Sequence, residues 1–147
     1  MRCYLDTSVL VAYYSPESMS EKVQAFLDEQ IKPAISFLTE VELFSAIARK
    51  VRMGDLSRRD GGRIVSRFLS HLDSDLFTVT PVAPHHWHLA RDWIGLFNTS
   101  LRTFDALHLA IASAEEYELV TCDQQLIQAA DTLGVKVSAM NVTSDKD

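Results

Sequence analysis

Short apolar runs alternate with longer amphipathic segments along this chain. Residues 2–5 read as a brief strand, followed at once by Asp6, two hydroxyl residues and the apolar run Val9 to Tyr14. That run is one or two helical turns, ended by Ser15-Pro16. Between Ser18 and Gln30, Val23, Phe26 and Leu27 fall at helical spacing among charged residues. Lys32-Pro33 then precedes a second strand, Ala34 to Phe37. The segment Thr39 to Val51 predicts a helix with an apolar stripe of Val41, Phe44, Ile47 and Ala48, and Leu43 beside it. Gly54 ends it, and Ser57-Arg58-Arg59-Asp60 resembles a capping box with Asp in the usual Glu position. The helix it opens runs to about His71 and buries some of Ile64, Val65, Phe68 and Leu69, with Gly61-Gly62 weakening its first turn.

The second half repeats the alternation. Leu76 to Thr80 is a third strand, and Pro81 and Pro84 lead into a helix over about residues 85–97, anchored by Trp87, Ala90, Ile94 and Phe97. Thr103 can cap a helix to Tyr117 whose apolar face is Leu107, Ala110, Ile111 and Ala114. Leu119 to Cys122 is a fourth strand, Gln124 to Leu133 a helix stopped by Gly134, and Val135 to Ala139 a short last strand. Strands alternating with helices predict an α/β fold: a three-layer α/β/α sandwich around a mostly parallel sheet of four or five strands. At 147 residues, without repeat or linker, the chain reads as one domain over residues 1–142 with a polar tail at 143–147.

On this map the acids gain meaning. Asp6 follows the first strand, Glu42 lies one turn into the helix after the second, Asp105 opens a helix, and Asp123 follows the fourth strand. In a parallel sheet these positions share one edge, where such folds place ligands. Singly each has a plain structural reading: acids complement helix N-termini, and Asp6 or Asp123 could simply cap. Glu42 is the most telling, set between Val41 and Leu43 on a largely apolar helix where a carboxylate needs a partner. Two carboxylates about 4 Å apart repel by roughly 4 kcal/mol at an effective dielectric of 20, so four together call for cations. Oxygen-only ligands suit Mg²⁺ or Mn²⁺ better than Zn²⁺. Such a site supports attack of water on a phosphodiester. His85, His86 and His88 tempt as a second metal cluster, but 85 and 86 point to different faces of a helix, and surface or helix-start histidines are the better reading.

Composition adds two limits and one asymmetry. Hydrophobic residues make up 47% and charged residues 23%, ordinary for a globular protein, and no run approaches a membrane span. With no signal-peptide pattern at the N-terminus, a cytoplasmic location is the expectation, and Cys3 and Cys122 are expected as reduced, buried thiols. The net charge of −6 conceals a basic stretch. Residues 49–67 hold seven of the fourteen Lys and Arg residues (Arg49, Lys50, Arg52, Arg58, Arg59, Arg63 and Arg67) against Asp55 and Asp60. Arg59, Arg63 and Arg67 recur every four positions and share one helix face. That face could track phosphates or be a solvated surface.

Four segments carry a family resemblance: Tyr4-Leu-Asp-Thr-Ser-Val-Leu10, Ser36-Phe-Leu-Thr-Glu-Val-Glu-Leu43, Thr103-Phe-Asp-Ala-Leu-His-Leu-Ala110 and Leu119-Val-Thr-Cys-Asp-Gln-Gln-Leu126. In this order they resemble a PIN-domain ribonuclease, most closely the VapC-type toxins of toxin–antitoxin pairs. The resemblance implies a metal-binding and catalytic quartet of Asp6, Glu42, Asp105 and Asp123, with Ser8 and Thr121 supporting the acids. Glu40 is not assigned, because it points elsewhere on the helix. The resemblance also implies Mg²⁺ or Mn²⁺ as cofactor, 5′-phosphate and 3′-hydroxyl products, a homodimer, and a cognate VapB-type antitoxin that blocks the acid site. Arg49, Arg52, Arg59, Arg63 and Arg67 are the candidates for RNA backbone contacts.

The function expected is therefore a metal-dependent endoribonuclease. The alternative is a non-catalytic RNA-binding or regulatory module that keeps the acids for structure. Dependence on divalent ions separates the two. A phosphatase of the haloacid-dehalogenase kind would need Asp-x-Asp after the first strand, and position 8 is Ser.

Overall fold

The computed structural model describes residues 2–16 and 19–140. The tail at 143–147 and the expected helix start at Ser18 lie outside the described residues. Five strands form one sheet: β1 (Cys3–Leu5), β2 (Ala34–Ser36), β3 (Thr78–Thr80), β4 (Glu118–Thr121) and β5 (Val137–Ala139). Their order is β3-β2-β1-β4-β5, and every pairing is parallel. The chain builds outward from β1 in one direction, then crosses to β4 and continues in the other. The switch point therefore falls between β1 and β4, the crevice where open α/β sheets bind ligands.

Among the described residues seven helices cover the sheet: α1 (Thr7–Tyr14), α2 (Ser20–Asp28), α3 (Phe37–Arg52), α4 (Arg58–Asp73), α5 (Pro84–Ile94), α6 (Thr103–Ala114) and α7 (Gln124–Leu133). Strand alternation sends side chains to opposite faces, and each face has its own core. Cys3, Leu5, Ile35 and Val120 pack with Val9, Leu10, Leu43, Ile47 and Phe68 from α1, α3 and α4. Tyr4, Ala34 and Leu119 pack on the other side with Ala90, Leu107, Ile111, Leu126 and Ala130 from α5, α6 and α7. This is the three-layer α/β/α sandwich expected from the alternation, here with five strands. Among the described residues no helix is long and apolar enough to cross a membrane.

Several local expectations change. In α3 the buried stripe is Thr39, Leu43 and Ile47; Val41 and Phe44 are exposed, and Ala48 faces out with them. The stripe is set by a turn that begins at Phe37, where Ser36 N–H donates to Thr39 Oγ1 at 3.2 Å. In α4, Phe68 is buried while Leu69 is exposed. Gly61 is there for packing: a Cβ would lie 2.8 Å from Val51 Cγ2 of α3. Helix α5 stops at Ile94, and Phe97 stands beyond it, exposed, in left-handed backbone with φ 56°. Trp87 and Ile94 are also exposed, and Ala90 and His86 do the anchoring. Cys3 is a buried free thiol and Cys122 a half-buried one just past β4.

Candidate active site

Asp6 leaves β1 at the switch point. Its N–H extends the ladder to Val120 O at 3.0 Å. It occupies the N-cap position of α1, yet its carboxylate makes no capping bond. Instead Oδ2 accepts from Ser8 Oγ at 2.7 Å and from Thr121 Oγ1 at 2.8 Å. Both hydroxyls are held by the neighbouring strand exit: Cys122 N–H donates to Ser8 Oγ, and Asp123 N–H to Thr121 Oγ1, each at 3.0 Å. A lone pair occupied by a backbone N–H leaves each hydroxyl proton for Asp6. One oxygen of Asp6 is thereby saturated, and Oδ1 carries no hydrogen bond among the described residues.

Glu42 is arranged in the same way from different parts. Its Oε1 accepts from Thr7 Oγ1 at 3.0 Å and meets His108 Nε2. His108 is fully buried, and its Nδ1 lies 2.7 Å from the Tyr4 hydroxyl. The carboxylate accepts from Nε2, and Nδ1 shares a hydrogen bond with the Tyr4 hydroxyl, an assignment made from these partners. Tyr4 is itself fully buried, with Ser36 Oγ at 2.8 Å and Thr39 Oγ1 at 3.4 Å from its oxygen. Burial pushes the Tyr4 phenol above its ordinary value and keeps it protonated. A relay thus runs from the sheet interior through Tyr4 and His108 to one oxygen of Glu42, the pattern by which histidines orient ligating carboxylates.

Asp105 sits in the first turn of α6, half-buried. Its carboxyl is pushed up to about 6, first by burial and then by the charges of Asp6 and Asp123, with Glu42 adding and His108 opposing. Asp123 caps α7, its Oδ1 accepting from Gln125 N–H at 2.9 Å and Leu126 N–H at 3.4 Å. Thr103, the expected cap of α6, is instead its first helical residue, with Arg102 at the N-cap.

All four acids named from the sequence therefore lie at one edge, close enough for the other three to act on Asp105. Ser8 and Thr121 stand against Asp6 as named. Sequence reasoning missed Thr7, His108 and the part played by Tyr4. His108 carried a signal: it lies three positions after Asp105, on the same helix face. Thr7 had none, because its partner is 35 residues away.

The histidine reading holds for the surface and the helix start, but residues 85 and 86 do not point apart. His86 is buried, and both His85 and His86 reach Glu115 Oε1, at 3.2 and 2.8 Å. Among the described residues this trio, not the acid quartet, gathers its ligand atoms within 4.8 Å. It is not arranged to bind a metal. His86 Nδ1 accepts the Ala83 N–H at 2.9 Å, which fixes the proton on Nε2, the atom a metal would need. His88 is exposed.

The basic residues divide. Arg49 lines a cleft of about 420 Å³ together with Thr7, Val41 and Glu42. Arg67 lies over the rings of Tyr13 and Tyr14, 5.4 and 5.6 Å from their centroids. Arg63 pairs loosely with Asp60 at 3.9 Å, Arg52 lines an apolar groove between α3 and α4, and Arg59 is exposed on α4.

The sequence profile of the PIN domain matches residues 3–132. The chain belongs to the PIN domain family. This PIN domain is 32% identical over 139 residues to Ribonuclease VapC46 of Mycobacterium tuberculosis, covering 92% of the chain and 95% of that protein. Among solved structures it resembles FitAB bound to an IR36 DNA fragment, with TM-score 0.72 and 20% identity over 94% of each chain. It also resembles the Sarcin-Ricin loop cleaving toxin VapC20 of Mycobacterium tuberculosis, with TM-score 0.69 and 14% identity over 86% of this chain and 94% of that one. VapBC2 of Rickettsia felis, bound to a promoter DNA fragment, aligns with TM-score 0.66 and 17% identity over 96% and 98%. At these identities the structures speak for the fold.

The acid edge of this PIN domain fits a hard divalent cation on its own chemistry. Its donors are carboxylate oxygens, and Asp6, Glu42 and Asp123 each have one oxygen engaged by protein donors. Single oxygens from several acids suit an octahedral ion that keeps part of its water shell.

Proposed function

We propose that this chain is a metal-dependent endoribonuclease, the VapC-type toxin of a toxin–antitoxin pair. The observation that carries the reading is the acid edge: four carboxylates at the switch point, with Asp105 pushed up to about 6 by burial and by its neighbours' charges. Kinship to Ribonuclease VapC46 supports RNA as the substrate. Asp6, Glu42, Asp105 and Asp123 would hold Mg²⁺ or Mn²⁺, which when bound activates water and neutralises charge developing on the phosphate.

The protein's own groups prepare this. Ser8 and Thr121 hold Asp6 through one oxygen, so its carboxylate does not turn back to cap α1. Thr7 and His108 hold Glu42 in the same manner. Asp105, raised to about 6 by burial and the other acids, would be held ionised over a wider pH range by a bound cation. Arg49 contacts the RNA backbone beside Glu42, and Arg52, Arg59 and Arg63 extend the basic surface. Arg67 is the weakest of the five candidates, since the tyrosines already hold it. The protein acts as a cytoplasmic homodimer silenced by a VapB-type antitoxin; kinship to a VapC ribonuclease and the fold shared with VapBC complexes support the antitoxin partner.

The test is cleavage of RNA after treatment with EDTA and again after addition of Mn²⁺. Activity lost and then restored supports the reading. RNA binding without cleavage under Mg²⁺ or Mn²⁺ overturns it in favour of a non-catalytic module.

A further inference from the structure

Two clefts open beside the acids, and one side chain lines both of them with Glu42. One cleft, of about 360 Å³, is bounded by Arg102, Thr103 and Asp105; the other, of about 420 Å³, by Val41 and Arg49; Phe104 and Glu42 line both. Phe104 is 50% exposed and belongs to neither apolar core. This aromatic ring stands between two clefts, one residue before an acid, with half of its surface left to solvent. Each cleft also carries one exposed arginine, Arg102 in the first and Arg49 in the second.

These features match a nucleic-acid strand passing over the acids. A phosphodiester delivered to the carboxylate edge brings its neighbouring nucleotides into the flanking clefts. Arginines on both sides meet phosphates there, and an exposed phenyl ring offers a face on which a base can stack. In a duplex the bases are paired and stacked on one another, and a base reaches such a ring only when it is unpaired. We propose that Phe104 is the stacking platform for an unpaired base beside the scissile phosphate. This rests on the ribonuclease reading above and adds to it a residue that positions the substrate strand.

The experiment compares wild type with Phe104→Ala, Phe104→Leu and Phe104→Tyr, on a short unstructured RNA pool of randomised sequence and on the same pool annealed to its complement. Phe104 is exposed, so each variant is expected to fold, which its melting curve checks. The alanine and leucine variants should raise KM about tenfold, the order of one lost base stack, with kcat changed little, while tyrosine restores KM. The duplex should be cleaved at least about tenfold more slowly than the single strand. Binding is read separately with a 2-aminopurine RNA on the Asp6→Asn background, where fluorescence should be quenched with Phe104 or Tyr and not with Ala. Equal KM for wild type and Phe104→Ala, or leucine performing as well as tyrosine, overturns the stacking role. Equal cleavage of duplex and single strand overturns the need for an unpaired base at Phe104. If wild type cleaves no RNA in Mn²⁺, the ribonuclease reading falls, and the fluorescence arm still decides whether Phe104 stacks on a base.

Discussion

The protein contains two buried histidines that each face a carboxylate, and they do opposite things. At the α5–α6 corner, His86 takes the Ala83 N–H on Nδ1 and reaches Glu115 through Nε2, while His85 reaches the same oxygen. Both rings meet one oxygen of Glu115, and the cluster closes a helix start. At the sheet edge, His108 takes Tyr4 on Nδ1 and faces Glu42 through Nε2, with Thr7 on the same oxygen. That relay ends on one oxygen of Glu42 and leaves the second for something else. The charges differ as well. Hydrogen bonds from His86 and His85 hold Glu115 below the ordinary carboxylate range, whereas burial and the neighbouring acids push Asp105 up to about 6. Closeness of potential ligand atoms is therefore a poor guide to a site: the tighter cluster commits His86 to a helix start, and the looser one gathers four carboxylates.

The largest contrast should come from the carboxylates themselves. Asp105→Asn is expected to reduce RNA cleavage by more than the roughly 100-fold that marks the upper range for loss of a supporting group. It should also raise the melting temperature of the metal-free protein by roughly 3 °C, because a repelled charge is removed. Glu115→Gln should leave cleavage within about threefold of wild type, in the range of an ordinary structural change. A comparable loss of activity in both variants would erase the distinction between the two regions.

The histidines should separate next. His108→Leu is expected to weaken Mn²⁺ binding, measured by calorimetry, about 10- to 100-fold, with His108→Gln recovering much of it because its amide can still donate to Glu42. His86→Ala should leave Mn²⁺ binding unchanged but destabilise the fold by about 2 kcal/mol, through loss of a helix cap and a buried side chain.

The pH responses should have opposite signs. Asp105 is raised from 3.8 to about 6, so its contribution to metal-free stability is complete below pH 3.8 and lost as pH rises through about 6. Metal binding must displace that proton, so Mn²⁺ affinity should fall about tenfold per pH unit below 6, the slope for one competing proton. Glu115 is lowered from 4.5, so its contribution is present above pH 4.5 and lost as pH falls through its depressed value. Melting curves of Asp105→Asn and Glu115→Gln across pH 3 to 8, each against wild type, report the two trends separately. The smallest effect is among the arginines: Arg49→Ala should weaken RNA binding and lower its salt slope by about one, while Arg67→Ala should not.

Much of this was legible in the chain because it is local. Strand exits at Asp6 and Asp123, the helix carrying Glu42 and the helix start at Asp105 follow from short-range pattern, and the parallel sheet puts them on one edge. Ser8 and Thr121 were named from the resemblance, and the structure sets both hydroxyls on Asp6. What stayed hidden depends on contacts distant in sequence. Tyr4 and His108 are 104 residues apart, and His108 and Glu42 are 66 apart. No spacing rule joins them. The α3 stripe was misjudged for a related reason. Hydrophobicity favoured Val41 and Phe44, but the entry at Phe37, held by Ser36 and Thr39, turns Thr39, Leu43 and Ile47 inward. Burial of Thr39 was unreadable because its partners, Tyr4 and Ser36, come from the strands.

The central claim is that the edge at Asp6 is catalytic, and one comparison meets it directly: cleavage of RNA by purified wild type and by Asp6→Asn, in the same Mg²⁺ buffer. Wild type should cleave, and the variant should be slower by more than about 100-fold while keeping a cooperative melting transition. Cleavage by Asp6→Asn at the wild-type rate would contradict the account, whatever else the four acids do.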